Sequence, residues 1–247
     1  MGKVVDKKST TVITLHSFNI ELMAWNKIPT TVEFVVDEQE LGSGGFRTAF
    51  KATTQHPMYA NTTCVVKRYL PEAKVLIQET NQNIEAHTSS AVQMHVLARN
   101  FAHQLKRVMA SSVDSQYGPS LQYNKVYFGM TDGNECVTVE EYVDGKFIKY
   151  INNDGISCVE RSDDMCQKAH CLAHFSYERS DKKLIILDIQ GSGHTLFDPE
   201  IATSELFDKD SEMLFCSGNV SMVAIKNFAK KHQCDNYCIS AGLTKLK

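Results

Sequence analysis

Between Leu187 and Pro199 the chain reads LDIQGSGHTLFDP. An apolar run ends in Asp188, Gln190 follows, and Asp198 stands before the proline, so two carboxylates and an amide gather at the open end of a strand. Oxygen donors of this kind hold a hard cation together with a phosphate ligand, and the second carboxylate remains to steer a hydroxyl. The same succession of strand, glycines and polar residues also builds an ordinary tight loop, so the stretch needs partners before it means catalysis.

Two further groups supply partners for a phosphate. In LGSGGFRTAFK, from Leu41 to Lys51, Gly42, Gly44 and Gly45 leave backbone N–H groups open to close approach by an anion. Here the glycines join two extended runs, not a strand and a helix. That argues against a Walker loop or a dinucleotide fold and for a flap over a nucleotide, with a plain hairpin turn as the alternative. Lys67 lies in the middle of CVVKRY. With Cys64 and Val66 turned to a core, its amine faces the other way, where it can meet the α and β phosphates. An edge-strand lysine whose stem lies on the sheet gives the same pattern.

A third constellation is of a different kind. His232, Cys234 and Cys238 form H-x-C-x3-C just past a helical stretch. Structural zinc takes four nitrogen or sulfur ligands in a tetrahedron, so one donor must come from elsewhere. His174 in AHFSYE is the first choice, His170 on the same helix face the next, and Cys171 a weaker one. Four protein donors leave no open position, which makes the ion a staple for the C-terminal segment. A chance grouping of reduced cysteines is the competing explanation.

The elements that must position these residues follow from periodicity. Residues 31–36 alternate as a strand, 41–51 form a hairpin with a glycine tip, and 64–69, 125–130, 136–143 and 184–188 are further extended runs. Between 83 and 109, Ala91, Met94, Leu97, Ala98, Phe101, Leu105 and Val108 recur at helical spacing; helices are also expected over 160–177 and 221–231. Strands dominate before residue 140 and helices after it, with VEEYVDG as the joint. The expected class is therefore α+β: residues 1–138 as a β-rich lobe, 139–145 as a hinge and 146–247 as a zinc-stapled helical lobe, with a nucleotide cleft between the lobes.

The whole chain bounds the function. Its 247 residues suffice for two lobes with a core, at 43% hydrophobic and 22% charged composition. No apolar run approaches the ~18 residues of a membrane helix, and no secretory leader is expected from the first residues. Met1-Gly2 begins the chain, but Asp6 stands where a myristoylation signal has Ser or Thr. A net charge of −3 gives no electrostatic case for nucleic acid; Lys226, Lys230 and Lys231 read as a solvated helix face. Eight cysteines without a leader point to thiols in a reducing, cytoplasmic compartment. Cys64, Cys136, Cys158, Cys166 and Cys216 read as packing residues.

No HRD, DFG or APE triplet is present, which excludes a conventional protein kinase, and no G-x-S-x-G elbow marks a hydrolase. Taken in order, however, LGSGGFR, VVKRYL, VEEYVDGKFIKYINNDG, HFSYERS, LDIQGSGHTLFDPEI and AIKNFAKKHQCDNYCISAGL resemble the alpha-kinases, an atypical Ser/Thr protein kinase family, over roughly Leu41 to Leu243. The resemblance implies a bilobal kinase-like fold, and ATP, Mg2+ and a structural Zn2+ as cofactors with a protein Ser/Thr substrate. It implies Lys67 as the ATP-phosphate lysine, with Arg47 and the glycine loop above it, and Glu140 to Val143 as the hinge whose backbone meets adenine. Asp188 and Gln190 become magnesium and phosphate ligands, and Asp198 the residue that orients or deprotonates the substrate hydroxyl. The zinc set becomes His174, His232, Cys234 and Cys238.

One departure stands out. A glycine-rich loop is usual in that family before the last helix, whereas here Cys216, Ser217, Gly218, Asn219, Val220 and Ser221 occupy the stretch. It motivates a rival function, a nucleotide-binding pseudokinase that acts as a scaffold. A zinc-dependent nucleic-acid binder would fit the metal motif alone and fails on net charge. Neither the substrate nor the oligomeric state is legible in the chain.

Overall fold

A computed structural model describes residues 10–59, 61–80, 82–112, 117–204 and 222–246. Contacts divide the chain into two units, Met1–Val92 with Lys125–Tyr142, and Gln93–Asn124 with Val143–Lys247.

The first unit is built on strands β1 (Thr10–His16), the short hairpin β2 (Phe18–Asn19) and β3 (Ala24–Trp25), β4 (Thr30–Ser43), β5 (Arg47–Thr53) and β6 (Cys64–Tyr69). Helices α1 (Pro71–Glu79) and α2 (Ile84–Ser111) follow; after β7 (Gln122–Tyr123), β8 (Val126–Thr131) and β9 (Cys136–Glu141) complete the unit. Strands β1, β4, β5, β6, β9 and β8 close into an antiparallel barrel. Its interior follows from period-2 alternation: Ile13, Leu15, Val32, Phe34, Cys64, Val66, Val137 and Val139 are buried together. Each such aliphatic or aromatic side chain contributes about 1.5–3 kcal/mol by leaving water. Since Cys64 and Val66 take the inside of β6, Lys67 points outward, as the alternation requires. A β-bulge falls in β4 between Val36 and Gly42, where the strand runs out to the glycine tip.

The second unit contains the later half of α2, β7, β10 (Ile148–Lys149), α3 (Asp164–Arg179), β11 (Leu184–Leu187), β12 (Gln190–Ser192), β13 (Thr195–Phe197), β14 (Glu200–Thr203), α4 (Met222–Lys231) and α5 (Asn236–Ser240). By contacts, residues 93–124 group with the later chain, and the second unit sets short strands beside its helices. Strand β7 pairs in parallel with β13, and His95 Nε2 lies 3.0 Å from the Asn124 carbonyl, which ties this stretch to the later chain. Six short strands accompany the helices of the second unit among its described residues. Helix α3 starts at Asp163, whose side chain accepts from Cys166 N at 2.9 Å, so the first turn expected at 160 is a capping loop.

Strands β11 to β14 form one long hairpin with a break. Leu187 pairs with Glu200 on one side of the break and Gln190 with Phe197 on the other, so the register runs through unchanged. At the break Asp188 and Asp198 stand on opposite arms, both in the left-handed region with φ of 48°. The backbone groups freed there are taken up by the segment around β10: Tyr150 N and Ile151 N donate to the Ile189 carbonyl, and Asp188 N to the Asn152 carbonyl. Beyond the break the arms close tightly on Gly193, φ 54°, and a Cβ on Gly191 would lie 2.1 Å from the Thr195 carbonyl oxygen. Among the described residues no helix is long and apolar enough to cross a membrane.

Candidate functional site

On the first unit, register puts Arg47, Lys67, Thr138 and Glu140 on the outer face of β5, β6 and β9. Ala49 pairs with Lys67, Arg47 with Tyr69, and Lys67 with Thr138. Lys67 is 8% exposed and Glu140 4% exposed, and the ammonium Nζ meets Glu140 Oε1 at 2.5 Å. Arg47 Nη1 donates to Thr138 Oγ1 at 3.0 Å and stands 5.9 Å from the Tyr69 ring. The result is two cations fixed on one surface, each by a group of β9. Sequence logic gave Glu140 only a backbone role in a hinge. The residue lies within β9, paired with Val65 and Val126, and it is the carboxylate that meets Lys67. Strand β9 ends at Glu141, then Tyr142 N donates to the Thr63 carbonyl, and half-buried Val143 begins the second unit.

The glycine tip joins β4 to β5 as expected. None of Gly42, Gly44 and Gly45 has a positive φ, and a Cβ on Gly42 or Gly45 would meet nothing within 4 Å. The fold itself therefore does not require glycine there, whereas close approach by a ligand does. Gly44 N donates to the Arg47 carbonyl at 2.9 Å, which shapes the tip. Next to it Phe46 stacks on His87 of α2, with ring centroids 5.6 Å apart, and the Tyr69 hydroxyl is 2.8 Å from His87 Nδ1. Burial, then the Arg47 charge, pushes the His87 pKa down to about 4, so the ring is neutral.

On the second unit, Asp188 and Gln190 are each 8% exposed. Lys149 Nζ donates to Asp188 Oδ1 at 2.6 Å, and Gln190 Nε2 donates to the Asp198 carbonyl at 3.2 Å. The Asp188 carboxyl is raised above its usual range, first by burial and further by the Asp198 charge, while Lys149 opposes the rise. Glu200 belongs to the same field: burial, then Asp188, lift its pKa to about 7, and its Oε2 is buried without a hydrogen-bond partner. Three carboxylates and one ammonium thus share the hairpin break. Asp188 and Asp198 are held off ordinary strand geometry, and carboxylate oxygens are the donors that a divalent cation with phosphate ligands takes. The sequence singled out Asp188, Gln190 and Asp198 and missed Lys149 and Glu200. Glu200 was readable from its place directly after Asp198-Pro199, whereas Lys149 reaches Asp188 only through the packing of β10.

The fourth group is the metal set. His174 on α3, His232 and Cys234 after α4, and Cys238 on α5 bring one donor atom each within 4.8 Å of one another. Cys234 Sγ lies 3.8 Å from His174 Nδ1 and Cys238 Sγ 3.5 Å from His232 Nε2. A tetrahedral zinc with bonds of about 2.0–2.3 Å separates its donors by about 3.3–3.8 Å, so this donor set fits the ion. The other nitrogen of His174 is 3.7 Å from Glu178 Oε2, beyond hydrogen-bond distance. Of the alternative fourth donors, His170 turns its Nε2 to Ser157 Oγ at 2.6 Å and stacks on Phe228. Cys171 hydrogen-bonds to Cys238, and this contact, followed by His174 and His232, holds the Cys238 thiol far below its ordinary pKa against the effect of burial. Of the cysteines read as packing residues, Cys64, Cys136 and Cys166 are buried, Cys158 is exposed, and Cys216 lies outside the described residues with the whole 216–221 stretch.

Comparison with known proteins agrees with this geometry. A family model described as "Alpha-kinase family" matches residues 42–238. Transient receptor potential cation channel subfamily M member 6 of Mus musculus is 27% identical over 237 residues, which cover 92% of this chain and 11% of that protein. Eukaryotic elongation factor 2 kinase of Mus musculus is 36% identical over 112 residues, 45% of this chain and 14% of that protein. The chain thus spans little more than a tenth of the length of these relatives. Among solved structures, the alpha-kinase domain of myosin heavy chain kinase A in complex with ADP superposes with a TM-score of 0.75 at 18% identity, covering 98% of this chain and 99% of that one. The same domain in complex with AMP-PNP gives 0.75 at 19% identity, covering 98% and 99%.

Proposed function

The chain belongs to the alpha-kinase family, and from that premise we propose that it is an ATP-dependent protein kinase acting on serine or threonine hydroxyls. The observation that carries the proposal is the hairpin break, where Asp188 and Asp198 occupy left-handed backbone on facing arms and share an electrostatic field. In this reading the glycine tip lies over the triphosphate, Arg47 braces it, and Lys67, aimed by Glu140, neutralises the α and β phosphates. Residues 140–143 supply the hinge that meets adenine, and so divide an N-terminal from a C-terminal lobe. Asp188 and Gln190 are the residues that hold Mg2+, which when bound supplies charge neutralisation on the transferring phosphoryl group. Asp198 accepts a hydrogen bond from the attacking hydroxyl and aligns it, so catalysis is mostly positioning and electrostatics. His174, His232, Cys234 and Cys238 hold a structural zinc that pins α5 and the end of α4 to α3. The cysteines are free thiols among the described residues, which favours the cytoplasm, and a net charge of −3 disfavours nucleic acid.

The test is transfer of label from γ-labelled Mg-ATP to a generic basic protein. Wild-type chain labels it, and Lys67→Ala and Asp198→Asn lose the activity. Unimpaired transfer by either variant refutes the assignment, and nucleotide binding without transfer by the wild type identifies a nucleotide-binding scaffold instead.

A further inference from the structure

Beside the acidic set the second unit displays an aromatic pair that no step above uses. Phe147 is 54% exposed, and its ring lies 5.9 Å from that of Phe197 at 34°. The register fixes where the pair sits. Lys149 pairs with Gln190 and Gln190 with Phe197, and directly opposed residues of antiparallel strands point to one face of the sheet. Phe147, just before β10, joins that face by its ring contact with Phe197. Lys149 bonds Asp188, and Asp188 feels the charge of Asp198, the chain neighbour of Phe197. The aromatic pair therefore lies on the strand face that carries Lys149, and its Phe197 is next in the chain to Asp198.

We infer that Phe147 and Phe197 form a specificity platform that takes a large aliphatic side chain of the protein substrate, within two residues of the phosphorylated hydroxyl. The inference rests on the kinase reading, in which that hydroxyl is held at Asp198. An extended peptide advances about 3.3–3.6 Å per residue, so a side chain one or two positions from the acceptor falls about 3.5–7 Å away, the scale of the two-ring surface. A half-exposed phenylalanine with a second ring behind it offers apolar area and no hydrogen-bonding group, so it takes Leu, Ile or Met and gives nothing to Asp.

Fluorescein-labelled serine peptides, with Leu or Asp scanned through the two positions on either side of the serine, are titrated with the full chain by anisotropy. Wild type binds the best Leu peptide about tenfold more tightly than its Asp counterpart, the scale of one good apolar contact. Phe147→Ala abolishes that preference with its melting temperature unchanged, and Phe147→Leu retains most of it. No preference in the wild type, or a preference that survives Phe147→Ala, overturns the inference. Phosphate transfer to the same peptides is read separately: absence of transfer to every peptide refutes the kinase reading, whereas equal transfer to Leu and Asp peptides refutes the platform alone.

Discussion

Removing the carboxylate of Glu140 tests the first unit most sharply. Lys67 and Glu140 are 8% and 4% exposed and 2.5 Å apart, so neither charge is well hydrated. In such a setting the pair as a whole is near neutral for stability, but taking one member away removes the other's counter-charge at 2.5 Å and costs about 3–5 kcal/mol. For a chain of this size, about 2–4 °C of melting temperature goes with each kcal/mol, so Glu140→Ala should lower the transition by about 6–20 °C. Lys67→Met with Glu140→Met replaces both charges by apolar side chains and should restore most of the loss. Both variants are inactive in transfer, so stability and activity separate: one destabilised and dead, the other stable and dead. Thermal unfolding followed by circular dichroism reads the effect. A loss below about 1 kcal/mol in Glu140→Ala, the size of an exposed ion pair, would show that the pair is not desolvated and would refute the reasoning.

Other expectations follow from the same geometry. Cys234→Ser should release one zinc per chain by elemental analysis and lower the melting temperature, while Cys158→Ser, at an exposed cysteine, changes neither. Gly191→Ala should unfold the hairpin, since the added methyl would lie 2.1 Å from a carbonyl oxygen, whereas Gly45→Ala leaves stability unchanged and raises the KM for ATP. His87 is held neutral down to about pH 4, while a free imidazole gains its proton near 6.5. The unfolded chain therefore binds more protons between those values, and stability is full above 6.5 and falls as the pH drops toward 4, by roughly 2–3 kcal/mol. Denaturant titrations of wild type and His87→Gln across that window check the slope, which the variant should flatten.

What was legible in the sequence was what neighbouring residues encode together. The glycine hairpin, the outward Lys67 and the H-x-C-x3-C cluster each lie within a dozen residues, and alternation or ligand spacing marks them directly. Strand β1 escaped notice although TTVITLH alternates, because its meaning depends on pairing with β4 and β8 to close the barrel. The partners of the functional charges were hidden for the same reason. Lys149 is bound to Asp188 across 39 positions, and only sheet register brings them together. Similarly α2 carries one unbroken helical periodicity, and nothing in its spacing says that residues beyond Val92 belong with β7 and the later chain.

The hairpin break shows why local propensity and function part company at this point. A regular β-hairpin from Leu184 to Thr203 would alternate its side chains and scatter Asp188, Gln190 and Asp198 over two faces. Instead each arm is interrupted at the same level, and the unchanged register shows that the break removes no residue and adds none. Two aspartates in left-handed backbone cost about 1–2 kcal/mol each, and aspartate is among the few residues that tolerate it. Hydrogen bonds from Tyr150 and Ile151 to the Ile189 carbonyl offset part of that cost, while Gly191 and Gly193 let the arms close beyond it. The turn glycines, the left-handed aspartates and the paired segment around β10 are thus one device. Together they take Asp188 and Asp198 out of the two opposed rows in which a regular strand pair presents its side chains.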